Sequence, residues 1–197
     1  MAAQIFLASQ SPRRRELLQQ IGVHHEVLRV DVDETPLAGE SAADYVVRLA
    51  LEKASVAAQL SEYSSSRLPI LAADTAVVVD DNILGKPANE KDAIAMLMQL
   101  SGRSHLVLTG IALVGTDLRS SRLSSSRVRF REISPTEAQR YWHSGEPADK
   151  AGGYGIQGLG AMFVSHLEGS YSGVMGLPLF ETTALLKEAG INPLSNQ

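Results

Sequence analysis

Three consecutive arginines, Arg13, Arg14 and Arg15, follow Ser9, Ser11 and Pro12 near the start of the chain. A serine followed by a proline marks a helix start, with the proline in the first helical position. The arginines then lie in the first turn, at the positive end of the helix dipole, where cations are disfavoured. A solvated basic turn would account for one of them. An anion site accounts for the set, because free backbone N–H groups, the Ser9 and Ser11 hydroxyls and two or three guanidinium groups converge just beyond a strand end. A bound polyphosphate would turn the electrostatic penalty into attraction. The run is not a Walker loop, since it lacks the glycines and the GK(S/T) ending.

Lys53 interrupts an apolar helical stripe made of Val46, Leu49, Val56 and Leu60. Either its stem snorkels with the amine at the rim, or the amine reaches an anion in a cleft. Removal of Arg13 or Lys53 is then expected to leave ligand-free stability unchanged or raised. Asp74 stands in the apolar run Ile70–Val79, where a carboxylate needs a partner or a metal. A buried salt bridge, for instance with an arginine, is one solution, and a divalent cation is another. The acidic loop with Asp31, Asp33 and Glu34 offers further hard oxygens; Mg²⁺ needs only one or two carboxylates beside phosphate oxygens and water. Thr75 faces the opposite side of the strand from Asp74. Lys86 lies between Gly85 and Pro87, and Gln157 lies within the glycine run at 152–160. Glycines let a ligand approach the backbone, and a glutamine amide has the donors and acceptor to read the edge of a base. The five histidines show no metal-ligand spacing, and no GxSxG elbow supports a serine nucleophile.

The elements that hold these residues alternate along the chain. Ile5–Ala8 reads as a buried strand, followed by a helix from Pro12 to about Ile21 that stops at Gly22. Glu26–Val30 reads as a strand, and Ser41 caps a long helix with Asp44 three residues on. Ser61–Arg67 is serine-rich and is expected to be the most mobile loop. Ile70–Val79 is a strand turned back at Asp80-Asp81-Asn82, and Asn89 caps a helix to about Leu100. Long strands follow near Leu106–Gly115 and Ser121–Arg131, then a helix with a full capping box at Ser134-Pro-Thr-Glu137. After the glycine loop come a strand over Ala161–His166 and a last helix, opened by Leu177-Pro178 and ended at Gly190. Interleaved strands and helices with a hairpin predict an α/β fold with a mixed sheet, organised as one domain over 1–197.

Composition narrows the function classes. The 197 residues include 44% apolar and 20% charged, the profile of a soluble globular chain. The net charge of −4 gives no overall attraction for nucleic acid or acidic membranes, so a polyphosphate site has to be a local basic pocket. With no cysteine, disulfides, thiolate nucleophiles and cysteine zinc sites are excluded. The N-terminal apolar run is too short for a signal peptide and no stretch is long enough to span a bilayer, so a cytoplasmic location is expected.

Taken together, the ordered motifs closely resemble the Maf family of nucleotide pyrophosphatases. They are Ser9-Gln-Ser-Pro-Arg-Arg14, Val32-Asp-Glu34, Arg48-Leu-Ala-Leu-Glu-Lys-Ala54, Ala73-Asp-Thr75, Gly85-Lys-Pro87, Leu100-Ser-Gly102, Lys150-Ala-Gly-Gly-Tyr-Gly-Ile-Gln-Gly158 and Gly176-Leu-Pro178. The resemblance implies an elongated mixed sheet flanked by helices, in two lobes with a cleft, related to the inosine-triphosphate pyrophosphatases. It implies hydrolysis of a nucleoside triphosphate between the α- and β-phosphates with a divalent metal, Mg²⁺ or Mn²⁺. Asp74 matches the family's proton acceptor, and Glu34 with Asp74 would hold the metal. Arg13, Arg14, Lys53 and Lys86 would bind the triphosphate, with Ser9 and Ser11 donating hydrogen bonds. Arg13, Thr75 and Gln157 occupy positions resembling the specificity determinants of the branch acting on dTTP and UTP. The other branch, acting on methylated GTP, typically carries a tryptophan and a Phe-Lys pair where this chain has Arg13 and Tyr154-Gly-Ile-Gln157. A homodimer that binds neither nucleic acid nor membrane is the expected assembly. Two alternatives stand beside this: a housecleaning pyrophosphatase for non-standard purine triphosphates, and a nucleotide-binding regulator of septum formation.

Overall fold

The run Ile70–Val79 forms a ten-residue strand that is buried at every position except Thr75. Burial on both faces requires cover on both sides, which an alternation of strands and helices supplies. The computed structural model describes residues 2–60, 63 and 67–196. In order, the elements are β1 (Ile5–Leu7), α1 (Pro12–Gln20), β2 (His25–Val27), α2 (Ala42–Ala57), β3 (Ile70–Val79), β4 (Asn82–Leu84), α3 (Glu90–Leu100), β5 (Ser104–Val114), β6 (Arg119–Phe130), α4 (Pro135–His143), β7 (Val164–Glu168), α5 (Tyr171–Met175) and α6 (Leu179–Glu188). Short 3-10 turns cover Glu146–Asp149, Ala151–Gly153, Leu159–Phe163 and Pro193–Asn196. The sheet order is β2-β1-β3-β5-β6-β7, with β4 hydrogen-bonded to β3. β1 is parallel to β2 and β3, whereas β3–β4 and β6–β7 are antiparallel, so the sheet is mixed as expected.

Local chemistry sets most of the boundaries. Ser41 Oγ accepts the Asp44 N–H at 3.1 Å, and Asn89 Oδ1 accepts that of Asp92 at 3.0 Å. Ser134 and Glu137 exchange both capping-box bonds. Ser11 sits at the N-cap of α1, but its hydroxyl makes no capping bond; its own N–H instead donates to Ser9 Oγ at 3.2 Å. Asp80 and Asp81 both have positive φ, 49° and 62°, the backbone of a tight hairpin turn.

Three expectations need revision. β2 ends at Val27 rather than Val30, because it pairs in register with a β1 that itself ends at Leu7. The strand expected at Ala161 starts at Val164, because the Leu159 and Gly160 N–H groups are used by the Glu146 carboxylate. Helix α5 was not anticipated; Ser170 Oγ accepts the Gly173 N–H at its start. Of the serine-rich stretch expected to be mobile, residues 61, 62 and 64–66 lie outside those described.

The chain forms two compact units, each with its own core. The first comprises the chain up to Asp74, Thr109–Ser124 and the part from Gly176 onward. Its core packs Phe6, Leu28, Ile70, Ala72 and Ala112 with Ala50, Ala54 and Ala57 of α2. Small residues let α2 lie close to the sheet. At Gly110 of β5 a Cβ would come within 2.4 Å of the Val46 carbonyl oxygen, so only glycine lets α2 seat there. The second unit comprises Thr75–Leu108 and Ser125–Met175. Its core gathers Val77, Leu97, Leu100, Val128, Phe130, Tyr141, Tyr154, Ile156 and Phe163. Among the described residues no helix is long and apolar enough to cross a membrane.

His105 lies in this second core, 3% exposed. Its Nε2 shares a 2.8 Å hydrogen bond with the Tyr154 hydroxyl, its ring stands edge-on to Phe130, and its Nδ1 has no partner. Burial lowers its pKa from 6.5 to about 4. Between those values the unfolded chain binds a proton that the folded chain refuses, so stability falls as pH drops from 6.5 to 4 and changes no further below. This group alone should remove up to about 3 kcal/mol over that window. Denaturant titrations at pH 7 and pH 4.5 check this: His105→Gln, which keeps a partner for Tyr154 but does not titrate, should lose clearly less stability than wild type.

Candidate functional site

Within the first unit, the end of β1, the start of α1, the acidic loop, α2 and β3 bring several charged groups together. β1 delivers Ser9, which is 8% exposed, and the turn into α1 places Arg14 over it. The Arg14 guanidinium donates to Ser9 Oγ at 3.0 Å and to the Gly176 carbonyl at 2.7 Å. Arg14 is thereby anchored on a backbone far away in sequence, and its charge is felt by Asp74 and Glu34. Arg13 is its sequence neighbour and repels it. Desolvation pushes Arg14 below the ordinary arginine value while the Asp74 charge supports it, and guanidinium remains charged throughout.

Lys53 is the centre of the cluster. Its ammonium donates to Glu34 Oε1 at 2.6 Å and to Asp74 Oδ1 at 2.7 Å. Asp74 is 7% exposed, so its nearest counter-ion is a lysine rather than the arginine considered above. Burial pushes the Asp74 carboxyl above its ordinary value of 3.8, and the Lys53 and Arg14 charges hold that rise back. Lys53 itself stands beside the stripe: the buried positions of α2 are Tyr45, Val46, Leu49, Ala50, Ala54 and Ala57. The two ion pairs also reverse the stability expected on its removal.

The acidic loop is held in place from α2. Tyr45 Oη donates to the Glu34 carbonyl at 2.8 Å, and burial with the nearby Asp74 and Glu34 charges pushes its phenol up to about 12. Arg48 grips Glu40 with two contacts, 2.6 and 2.8 Å, reaches Glu52 one turn on, and bonds the Thr35 carbonyl. Sequence reasoning assigned no role to Tyr45, Arg48 or Glu40. For Arg48 the signals were its place at the head of the Arg48–Ala54 motif and the i, i+4 spacing to Glu52.

The remaining candidates belong to the second unit. Thr75 is the one partly exposed position of β3, on the face opposite Asp74. Lys86 and Gln157 are both exposed. The glycines around Gln157 have an internal cause that the sequence did not suggest. A Cβ at Gly158 would lie 2.2 Å from Glu146 Oε2, one at Gly160 would lie 2.7 Å from the Tyr141 hydroxyl, and one at Gly152, whose φ is +67°, would lie 2.9 Å from Val77. Desolvation works to raise the Glu146 carboxyl, but hydrogen bonds from Tyr141, Gly160 and Leu159 and the Lys150 charge leave it below its ordinary value.

Among the described residues no group of three or more histidines and carboxylates is placed to hold a metal unaided. Glu34 and Asp74 do fit a divalent cation that arrives with phosphate oxygens, because both carboxylates reach one cationic point, now taken by the Lys53 ammonium. The cluster therefore combines two cations, a buried hydroxyl and two carboxylates, one of them desolvated. Such a set binds an anion and can hold a proton acceptor beside it.

The family model described as Maf-like protein matches residues 4–189. The dTTP/UTP pyrophosphatase of Saccharophagus degradans is 56% identical over 185 residues, covering 94% of this chain and 88% of that protein. That of Alkalilimnicola ehrlichii is 54% identical over 190 residues, covering 95% and 94%. Among solved structures, the Staphylococcus aureus Ham1 protein aligns with 66% of this chain and 72% of that one, at a TM-score of 0.44 and 18% identity.

Proposed function

The chain belongs to the Maf family, and on that premise we propose that it hydrolyses dTTP and UTP to the monophosphate and pyrophosphate. The observation that carries the chemistry is Asp74, a desolvated carboxylate held between cations. Phosphoanhydride hydrolysis asks for charge neutralisation and an in-line water more than covalent chemistry. Arg13, Arg14 and Lys53, with Lys86, neutralise the triphosphate, and Ser9 and Ser11 add hydroxyl contacts. Asp74 accepts the proton of the attacking water, and Lys53 keeps the carboxylate ionised until then. Glu34 and Asp74 would hold a Mg²⁺ or Mn²⁺ ion, which would supply charge neutralisation on the phosphates when bound. Thr75, Arg13 and Gln157 set the base preference.

The work site is the cytoplasm, where nucleoside triphosphates are found, and neither nucleic acid nor membrane is a partner. A homodimer belongs to the same proposal; Phe180, 82% exposed on α6, supports it, and sedimentation equilibrium checks it. Turnover assays across nucleotides, resolving pyrophosphate from orthophosphate, test the whole. Pyrophosphate from dTTP and UTP is the expected product, and orthophosphate release or a purine preference would sink the proposal.

Base choice gives a second test. The Gln157 amide can pair with the N3–H and a carbonyl of uracil or thymine, whereas cytosine presents an amino group and a bare N3. A polar pair left mismatched in a site is strongly rejected. Gln157→Ala should lower the ratio of kcat/KM for UTP over CTP by roughly tenfold or more. An unchanged ratio would show that Gln157 does not read the base.

A further inference from the structure

Gln157 sits in a four-residue turn closed by the Gly158 N–H on the Gly155 carbonyl, at 3.2 Å. Ile156 points into the core, 6% exposed, while Gln157 is exposed. Both ends of this turn are tied to one pair of side chains. On the entry side, the Gly155 N–H donates to the Tyr141 hydroxyl at 3.0 Å. That hydroxyl donates in turn to Glu146 Oε1 at 2.6 Å. On the exit side, the same carboxylate accepts from the Leu159 N–H at 2.7 Å and from the Gly160 N–H at 3.0 Å. The dyad presses closely on the turn: a Cβ at Gly158 would meet Glu146 Oε2 at 2.2 Å and one at Gly160 the Tyr141 hydroxyl at 2.7 Å, while one at Gly155 would meet the Lys150 stem at 2.8 Å before Glu146 Oε1 at 3.2 Å.

Tyr141 and Glu146 come from α4 and the 3-10 turn that follows it, and both are anchored independently. Tyr141 is 4% exposed and packs edge-on against Phe163. The backbone of Glu146 is held by Lys150, whose ammonium donates to its carbonyl at 2.6 Å. A turn that begins and ends on glycine would ordinarily sample many conformations. This one has its flanking N–H groups fixed by a carboxylate and a phenol. The side chain it presents is the long, amphoteric amide of Gln157.

We propose that Tyr141 and Glu146 act as positioning residues for base selection, holding the Gln157 turn in one conformation so that its amide meets uracil or thymine in a single register. This rests on the pyrimidine-triphosphate function proposed above. Preorganised polar groups discriminate more sharply than mobile ones, because a mobile amide can rotate to satisfy either base. Loosening the turn should therefore affect selectivity and KM more than kcat.

Glu146→Gln keeps one acceptor oxygen but loses the other, and Tyr141→Phe removes the bridging hydroxyl with little change in shape. In Glu146→Gln the UTP-over-CTP ratio of kcat/KM should fall by about tenfold through KM, with kcat within about threefold of wild type. Tyr141→Phe should give a smaller loss in the same direction, and it decides the matter if Glu146→Gln does not fold. Hydrogen exchange at Leu159 and Gly160, measured without nucleotide, should quicken in Glu146→Gln while the β3 amides stay protected. A folded variant that keeps the wild-type ratio overturns the inference alone. A wild-type protein that cleaves UTP and CTP equally overturns the proposed base preference and this inference together.

Discussion

Asp74→Asn should abolish most pyrophosphate release while leaving a folded protein. Loss of a positioned general base typically costs roughly 10²–10⁴-fold in rate, and the amide cannot take a proton from water. The fold should tolerate the change because Asn keeps a carbonyl oxygen for the Lys53 ammonium, and Lys53 retains Glu34. Burial already disfavours the ionised carboxyl, so a neutral isostere removes a cost rather than a support. A carboxyl raised above its unfolded value contributes stability at low pH that is lost as pH rises through the folded value. Ligand-free Asp74→Asn should thus match or exceed wild type in melting temperature at pH 8. The acid limb of wild-type kcat/KM should lie above 3.8, the ordinary value for Asp74. Turnover near wild type in a folded Asp74→Asn protein would remove Asp74 from the mechanism.

Lys53→Met should be damaging in two separable ways. It withdraws a cation from the triphosphate, expected to cost roughly 10²-fold in kcat/KM. It also leaves Asp74 without its nearest counter-ion, and an uncompensated buried charge is among the costlier defects a protein can carry. Asp74 limits the damage by taking up a proton. Its folded pKa rises further in the variant, so the deficit against wild type should be smaller at pH 5 than at pH 8, by about 1–3 kcal/mol. The double variant Lys53→Met with Asp74→Asn should recover most of that stability and none of the activity. Denaturant midpoints of the wild type, both single variants and the double variant, at both pH values, decide it. A Lys53→Met protein equally stable at pH 5 and pH 8 would mean that the pair carries no stability.

Periodicity and capping chemistry were legible without coordinates. β3 spans the residues its apolar run indicated, and Ser41, Asn89 and Ser134 cap their helices. Such features depend on neighbours a few residues apart, which the sequence displays directly. The suspicion that fell on Asp74, Lys53 and Arg14 was legible too, since each is a charge where local rules disfavour one. Their partners were not. That Lys53 joins Asp74 to Glu34, or that Arg14 leans on the Gly176 carbonyl, depends on which segments the fold brings side by side.

The glycine loop shows the same division most clearly. Its composition marked it as unusual, and the inferred cause was a ligand. The tertiary structure supplies another cause: the Glu146 carboxylate packs against Gly158, the Tyr141 phenol against Gly160, and the Lys150 stem against Gly155. Glu146 and Tyr141 look ordinary in sequence, a solvated acid and an aromatic on a helix. Their role arises only when the chain folds back and the backbone N–H groups of Gly155, Leu159 and Gly160 meet them, and for the buried Gly155 N–H a hydrogen bond left unmade would be costly.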